Sequence, residues 1–518
     1  MPRIEKSRIV KNVGSNGMAL AINVVVGIFL SPFILHRLGD AAFGIWVLIF
    51  SITGYYGLLD LGIRSSVVRY VSKAKALGCR DNLGKVISTS LCSYSAIGAL
   101  AFCITIVVSS NVGQIFRIPP EFHSTARWLL LIVGSAVSLG FPLGVWGGVL
   151  EGFQRFDILS LTDISVTLVR ALLIVIALRH GHGLLTLAGI TAGLPILASI
   201  VRGLFALRLL RIRLALALVN WQTLREIANY SGISFILIIS ARLRFKSDEI
   251  IIGTFLSSAA ITYFNIGDRI VDYAEEVVET FAQTLVSMSS QFDATGERDR
   301  LRQIFLLGNR VCAFITLPIT AILLILGKSI IEAWVGRAYV AQSYPVLVLM
   351  AAPSALAMAQ SASVRILFGM GKHQTWAMVT LVEALVNVVL SIWWVHSFGI
   401  VGSALGTTLP LAVTMIFFLP KHICRELEVA ILTYLREAYA LPVLLCIPMV
   451  GTLLAMKLWF VPHNYLELAV QLAVAGTVYG IGLFWAFKTE QLVKMSHLQE
   501  VSRSELRIEP RKVQNYSH

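Results

Sequence analysis

The stretch LEGFQRFDILSLTDISVTLVRALL, residues 150–173, recurs without a gap as LFGMGKHQTWAMVTLVEALVNVVL at residues 367–390. Three further pairs of segments match at nearly the same displacement: 183–191 with 399–407, 38–46 with 256–264, and 194–195 with 409–410. Each match is weak by itself, but matches at a shared displacement indicate a duplicated unit. The chain is therefore predicted to contain two copies of one long, largely apolar segment.

The composition is typical of a membrane protein. Hydrophobic residues make up 56% of the chain and charged residues 14%, and the mean hydropathy is +0.77. Apolar runs of about 20 residues recur from end to end, and each can cross roughly 30 Å of hydrocarbon as a helix. The sequence therefore predicts an all-α polytopic membrane protein.

About fourteen spans can be placed, near 13–35, 42–63, 86–109, 128–150, 158–178, 184–207, 228–255, 259–288, 304–326, 343–366, 375–396, 400–419, 433–456 and 466–487. The repeated unit holds six of them, so both copies enter the membrane in the same orientation. Such parallel repeats predict two lobes related by a pseudo-two-fold axis along the membrane normal. The predicted domains are an N-terminal lobe (1–210), a C-terminal lobe (211–420), two additional spans (421–487) and a cytoplasmic polar tail (488–518).

Basic residues concentrate on one side of the predicted spans. Lys and Arg are frequent in the N-terminal tail, in the loops after spans two and six and in the C-terminal tail, whereas the alternate loops hold few. The positive-inside rule then places both termini in the cytoplasm, as expected of a multi-pass protein of the cytoplasmic (inner) membrane. The net charge of +14 reflects this topology and attraction to anionic lipid headgroups, and does not indicate nucleic-acid binding.

Signatures of catalysis and of metal binding are missing from the sequence. The six cysteines are scattered without a CxxC pair, and there is no Walker A, GxSxG or HExxH motif. We expect no enzyme activity, no cofactor and no metal site.

A row of acids interrupts an otherwise apolar region at GDRIVDYAEEVVETFAQTL (267–285). Asp268, Asp272, Glu275 and Glu279 have the i, i+4, i+7, i+11 spacing that places side chains on one helical face. Each ionisable side chain near the bilayer centre costs about 2.5–3.5 kcal/mol, so this face has to meet protein or water. These four acids, with Glu383 on span eleven, are candidates for ion coupling to H⁺ or Na⁺.

Basic side chains on span seven leave two interpretations of the acidic row. Spans seven and eight are expected to be antiparallel neighbours because their connection is short. The bases and acids either pair with each other and fix the packing, or some of them line an aqueous cavity and contact substrate or a coupling ion. The candidate substrate or cavity residues are Arg170, Arg242, Arg244 and Lys246.

Other charges are expected to be structural. Asp60 and Arg64, four residues apart near the inner end of span two, are predicted to pair with each other, and Asp248 and Glu249 are also candidates for structural pairs. Arg365, near the inner end of span ten, is expected to extend to the membrane interface.

Span five differs from its copy in charge. Asp163 and Arg170 share one face of this span, whereas the aligned positions in the second copy are Thr380 and Asn387. A charge present in only one copy is not explained by the shared architecture. Arg170 is therefore a candidate cavity residue.

Several soft Gly/aromatic patterns suggest a family. They are LGDAAFGIWVLIFSITGYYGLLDLGIRSSVVRYV (38–71), KSDEIIIGTFLSSAAITYFNIGDRI (246–270), ILFGMGKHQTWAMV (366–379) and FGIVGSALGT (398–407). With two six-span lobes and two additional spans, the chain resembles the multidrug/oligosaccharidyl-lipid/polysaccharide exporter superfamily, and within it the bacterial polysaccharide and O-antigen flippases.

This resemblance implies a transporter that flips an undecaprenyl-diphosphate-linked oligosaccharide for cell-surface polysaccharide or O-antigen biosynthesis, working beside a polysaccharide polymerase and glycosyltransferases. An ion-coupled multidrug/organic-cation antiporter of the same superfamily is the alternative, and the acidic row suits it. A membrane-embedded polymerase or glycosyltransferase is a third hypothesis, but such enzymes present catalytic groups on larger outer loops than this chain is predicted to have.

Overall fold

A computed structural model describes the backbone of residues 3–60, 64, 67–72, 81–210, 215, 218–220, 224–225 and 232–506. Side chains are described in the same ranges except for residues 3–20, 81–82, 232–238, 241, 245 and 489–506. Within these ranges the chain is helical and contains no strand. Helices are expected in a bilayer because they satisfy every backbone polar group within one segment.

The N-terminal half contains six long helices. They are α1 (Arg3–Leu38), α2 (Asp40–Gly54), α3 (Asp81–Ile115), α4 (His123–Gly152), α5 (Phe156–Arg179) and α6 (Leu184–Leu210). A 3₁₀ helix at Tyr55–Asp60 continues α2. The break between α1 and α2 falls at Gly39, whose φ of 80° lies in the left-handed region that glycine adopts without strain.

The C-terminal half begins with α7 (Gly232–Phe255) and α8 (Ser258–Gln283). It continues through α9 (Leu285–Ala294), α10 (Arg298–Val335), α11 (Val340–Ala359), α12 (Ser361–Gly369), α13 (Gln374–Phe398), α14 (Ile400–Val413) and α15 (Leu419–Leu427). The last elements are α16 (Ile431–Leu435), α17 (Leu441–Trp459) and α18 (Tyr465–Leu506). Short π-helical turns join α14 to α15 and α16 to α17. Helices α17 and α18 pack on each other and on α10.

The structure contains 12 helical segments long and apolar enough to cross a membrane, among the residues it describes. The chain is thus an all-α, multi-pass membrane protein, as the sequence predicts. Helices α7 and α8 are 24 and 26 residues long, but they are not among those 12 segments. The charges on both helices lower their hydropathy, and the predicted total of fourteen spans depends on these two.

Helices pair in the same way in both halves. In the N-terminal half α1 packs on α5, α2 on α4, α3 on α4, α4 on α6 and α5 on α6. The corresponding pairs in the C-terminal half, α7–α13, α8–α11, α10–α11, α11–α14 and α13–α14, are also in contact. This shared pairing supports the repeat inferred from the sequence, while the two-fold relation between the lobes and the domain boundaries stay predictions.

The two halves meet at the end of the bundle where α1 joins α2, which we call the Asp40 end. The Asp40 carboxylate accepts hydrogen bonds from the hydroxyls of Tyr263 (2.9 Å) and Tyr339 (2.5 Å), and its carbonyl accepts one from Thr262 (2.7 Å). Nearby, the Arg117 amide donates to the Gly253 carbonyl at 2.8 Å. The largest buried cluster also crosses between the halves here. Hydrogen bonds and apolar packing therefore close the molecule at the Asp40 end.

Whether α7 and α8 cross the membrane is testable with reporter fusions. We expect a green fluorescent protein fused after Arg225 or after Gly296 to fluoresce, because both sites would be cytoplasmic. Alkaline phosphatase fused after Ser257, between α7 and α8, should be active because it would be exported. Phosphatase inactivity at Ser257, with fluorescence at all three sites, would contradict the fourteen-span topology.

Candidate functional site

A cavity of about 610 Å³ lies in the N-terminal half, next to α7. Three guanidinium groups line it, from Arg64, Arg170 and Arg242, together with the carboxylate of Asp60 and the hydroxyl of Tyr94. The volume falls within the roughly 300–1,000 Å³ of small-molecule pockets, and the polar groups converge on an otherwise apolar wall. The cavity therefore has the size of a small-molecule pocket and a positive balance of charge.

Arg170 enters this cavity without a counter-charge. Its Nε atom is buried and has no hydrogen-bond partner among the described residues. Asp163, which shares its helix face, pairs instead with Arg202 of α6 at 2.5 Å. A buried Nε–H group without a hydrogen-bond partner is costly, and an anionic ligand would supply the missing hydrogen bond.

Arg242 reaches the same cavity from the other half of the molecule. It forms no ion pair with any residue that the structure describes, and its Nη2 atom lies 3.3 Å from the position that a Cβ atom would take at Gly57. The absence of a side chain at Gly57 therefore leaves room for the guanidinium group. Both halves thus contribute positive charge to one cavity.

The predicted Asp60–Arg64 pair does not form. Asp60 accepts a hydrogen bond from the Tyr94 hydroxyl, and Arg64 pairs with Glu151 at 3.4 Å. The 3₁₀ helix at Tyr55–Asp60 departs from the α-helical spacing on which the prediction relied. Both residues line the cavity instead of only stabilising α2.

The four acids of the row on α8 have different surroundings. Asp272 pairs with Arg269 of its own helix at 3.3 Å, and Asp268 is buried. Glu275 and Glu279 line a second cavity, of about 360 Å³, in the C-terminal half. The row is therefore partly paired and partly exposed to a cavity, and Asp272 and Glu279 pair with bases outside α7.

Glu279 is held by two groups from α12. It accepts hydrogen bonds from Arg365 Nε at 2.9 Å and from Ser361 Oγ at 3.0 Å. Arg365 therefore has an ion-pair partner that was not predicted, and its extension to the membrane interface stays a prediction. Pairing removes the cost of an isolated charge at both positions.

The remaining bases of α7 pair with acids inside the C-terminal half. Arg244 Nη2 lies 2.5 Å from Glu383 Oε1, and both side chains are nearly inaccessible to solvent. Lys246 lies 3.6 Å from Glu249. Glu383 therefore sits in a buried ion pair, and Arg244 also lines the second cavity.

Asp248 is enclosed by hydroxyl groups and has no basic partner in the described part of the chain. Ser403 and Thr407 of α14 each donate to it at 2.6 Å, and Ser391 of α13 donates at 3.3 Å. Asn387, one turn before Ser391, accepts a hydrogen bond from Ser391 and is also buried. The structural ion pair expected for Asp248 is replaced by a shell of oxygen atoms.

Sequence reasoning missed this shell, although the signal was present. Ser403 and Thr407 on α14, like Asn387 and Ser391 on α13, are four residues apart and so share a helix face. One carboxylate surrounded by neutral oxygen atoms is suited to a proton or to a hard cation such as Na⁺.

Residues 9–293 match the family described as Polysaccharide biosynthesis protein. The chain belongs to this family. A Shigella flexneri protein described as "Putative O-antigen transporter" is 22% identical over 410 residues, which cover 77% of this chain and 93% of that protein. The family resemblance seen in the sequence is confirmed.

Solved structures show the same fold. The lipid II flippase MurJ, in an inward closed conformation, superposes with a TM-score of 0.71 at 14% identity and covers 91% of this chain and 98% of its own. An inward-facing multidrug resistance transporter of the MATE family of the MOP superfamily superposes with a TM-score of 0.65 at 16% identity. The match covers 79% of this chain and 95% of that transporter. At such identities the likeness concerns the fold alone, so function has to be argued from the site.

The buried Arg244–Glu383 pair predicts a change in stability. Replacing Glu383 by Leu should destabilise the protein by up to about 3–5 kcal/mol, because Arg244 stays buried and loses the carboxylate that lies 2.5 Å from its Nη2 atom. The double variant Arg244→Met/Glu383→Leu should recover most of this loss. The thermal unfolding midpoint of the purified protein measures both effects.

Arg155→Gln is the matched control for that measurement. Its pair with Asp157 is 42% and 47% exposed at the two side chains, so its loss should change stability by less than about 1 kcal/mol. A double variant no more stable than Glu383→Leu alone would show that the pair does not account for the effect.

Proposed function

We propose that this protein flips a lipid-linked oligosaccharide, carried on undecaprenyl diphosphate, across the cytoplasmic membrane for cell-surface polysaccharide or O-antigen biosynthesis. One observation carries the proposal: the guanidinium groups of Arg64, Arg170 and Arg242 converge on one cavity, and neither Arg170 nor Arg242 has an ion-pair partner among the described residues. The family and the Shigella flexneri relative support it.

A diphosphate is the anion that fits such a cavity. Guanidinium groups present rigid, paired donors that match phosphate oxygens, and they stay charged when partly buried. Because Arg242 belongs to the C-terminal half and Arg64 and Arg170 to the N-terminal half, one bound diphosphate contacts both. Its binding is thereby linked to the relative position of the halves.

The closed Asp40 end gives the direction of loading. The distribution of Lys and Arg places this end outside the cytoplasm, so the closure by Asp40, Tyr263 and Tyr339 corresponds to an inward-facing state. A lipid-linked glycan made in the cytoplasm by glycosyltransferases enters from the inner leaflet. Opening of the Asp40 end then releases it to the outer leaflet, where a polymerase uses it.

Asp248 is the coupling residue in this proposal. It lies between α7, which also carries Arg242, and the α13–α14 pair. A proton or Na⁺ held among these oxygens changes the position of α7 against α13 and α14, and with it the position of Arg242. Binding of the ion and of the diphosphate is thereby coupled through one helix.

An ion-coupled multidrug antiporter remains the second candidate, because the acids of α8 suit an organic cation and MATE transporters share the fold. Against it, Glu279 and Asp272 are already neutralised by Arg365 and Arg269. The accessible charge in the larger cavity is positive, which disfavours a cationic substrate.

Arg170 provides the test of substrate class. We expect Arg170→Gln to abolish flipping of the lipid-linked oligosaccharide while the amount of folded protein stays normal, because its buried Nε makes no protein hydrogen bond that the change would break. Arg170→Lys should retain part of the activity. Surface glycan in cells that depend on this gene, beside the membrane protein level, measures both.

The exposed Arg155→Gln variant serves as the charge-matched control and should transport normally. Normal surface glycan in Arg170→Gln would contradict the proposed role of the cavity. Resistance to cationic drugs that depends on the protein would favour the antiporter.

Asp248 provides the test of coupling. Asp248→Asn keeps oxygen and nitrogen atoms for the surrounding hydroxyl groups but loses the negative charge, so we expect near-normal protein amount and transport that no longer responds to a proton or Na⁺ gradient. Flipping in proteoliposomes with each gradient imposed separately measures this response. An unchanged gradient response would exclude Asp248 as the coupling residue.

A further inference from the structure

The second cavity, in the C-terminal half, is not needed for a diphosphate. Arg244 and Arg365 line it together with Glu275 and Glu279, and Arg244 also pairs with Glu383, so these groups together carry at most one net negative charge. The larger cavity has Asp60 as its carboxylate and three arginines. An anion therefore binds in the larger cavity, and the second cavity suits a ligand that is polar but carries no large net charge.

Aromatic side chains form part of the wall of the second cavity. Trp376 and Phe368 line it next to Met358. The Phe368 ring is fixed by stacking on His373, with centroids 4.9 Å apart and planes 4° from parallel. Rigid aromatic surface beside charged hydrogen-bonding groups is the combination that suits sugars, whose rings expose apolar C–H faces and whose hydroxyls both donate and accept.

The two cavities lie on either side of α7 at similar depth. Ser240 and Arg244 line the second cavity, while Arg242, between them in sequence, lines the larger one. Each helix position turns by about 100°, so Arg242 projects to the side opposite Ser240 and Arg244, with an axial offset of about 3 Å. A ligand that occupies both cavities therefore has to extend around α7.

We propose that the second cavity, around Glu279, Arg365, Phe368 and Trp376, binds sugar residues of the glycan while the diphosphate occupies the larger cavity. This inference rests on the proposed function. The Glu279 carboxylate and the Arg365 guanidinium group accept from and donate to sugar hydroxyls, and the aromatic wall contacts the ring faces. Because Glu279 is paired with Arg365, the cavity does not select an organic cation.

The test compares affinities for carriers with and without sugar, measured on the full-length protein in lipid nanodiscs. The probes are undecaprenyl diphosphate, undecaprenyl diphosphate bearing one N-acetylglucosamine, and the lipid-linked oligosaccharide extracted from cells that lack this gene. For the unmodified protein we expect the oligosaccharide-bearing carrier to bind about tenfold more tightly than the sugar-free carrier, as a few added hydrogen bonds and ring contacts provide.

Two variants probe the polar and aromatic parts of the cavity separately. Glu279→Gln and Phe368→Leu should each reduce the ratio of the two affinities several-fold. Glu426→Gln is the matched control, since Glu426 also pairs with a base, Lys372 at 2.6 Å, but does not line the cavity. This control should keep the ratio of the unmodified protein.

The outcomes separate this inference from the proposed function. If the unmodified protein binds none of the three carriers, the proposed function fails. If it binds them but the ratio is the same in Glu279→Gln, Phe368→Leu and the unmodified protein, or is close to one throughout, the sugar site is overturned and the flippase stands. Saturable ethidium binding that is lost in Glu279→Gln would assign the cavity to a cation instead.

Discussion

Each ionisable side chain in the hydrocarbon layer has to be paired, hydrogen-bonded or turned to water, since leaving it to lipid costs about 2.5–3.5 kcal/mol on insertion scales. This requirement explains the arrangement of α7 and α8. Arg244 is satisfied by Glu383, Glu279 by Arg365 and Asp248 by hydroxyl groups. Arg170, whose Nε no described residue satisfies, lines a cavity and not the lipid surface. Under the proposed function, the bound diphosphate supplies the hydrogen bond that Arg170 lacks among the described residues.

The two copies of the repeated unit differ in the charged groups that they bury. Residue 170 of α5 aligns with residue 387 of α13, so one position in the repeated unit is Arg in the first copy and Asn in the second. In the first copy the Arg side chain lines the positive cavity. In the second, Asn387 is buried beside Asp248 and accepts from Ser391. The aligned positions 170 and 387 thus have different surroundings: Arg170 lines a cavity with a positive balance of charge, and Asn387 lies in a buried group of hydroxyl and amide side chains around Asp248. Helix α7 connects them because it carries both Arg242 and Asp248.

Sequence patterns predicted the helical class, the family resemblance and the contact between α7 and α8, because hydropathy, repeated spacing and short connections are local properties of the chain. They also singled out some of the charged residues that line the two cavities, among them Arg170, Arg242 and Glu275. They did not predict partners: Asp60 bonds to Tyr94, Arg365 to Glu279 and Asp163 to Arg202, and each pairing joins segments far apart in sequence. Helical spacing shows which side chains share a face, but it does not show which neighbouring helix that face meets. The hydrogen bonds to Asp40 were not predicted for the same reason, since the donors Tyr263 and Tyr339 come from the other half.

Contacts at the Asp40 end differ in how easily they can separate. The hydroxyl–carboxylate bonds of Asp40 exchange readily for bonds to water, so opening that end to solvent costs little for each of them. Apolar packing between α2 and α8 is different, because a Cβ atom at Gly44 would lie 1.7 Å from the Ser258 carbonyl oxygen. The backbones of the two helices are therefore in contact at Gly44. Separation of these helices would expose a close-packed apolar surface. Separation of the halves at this end therefore costs less at the Asp40 bonds than at the Gly44 contact.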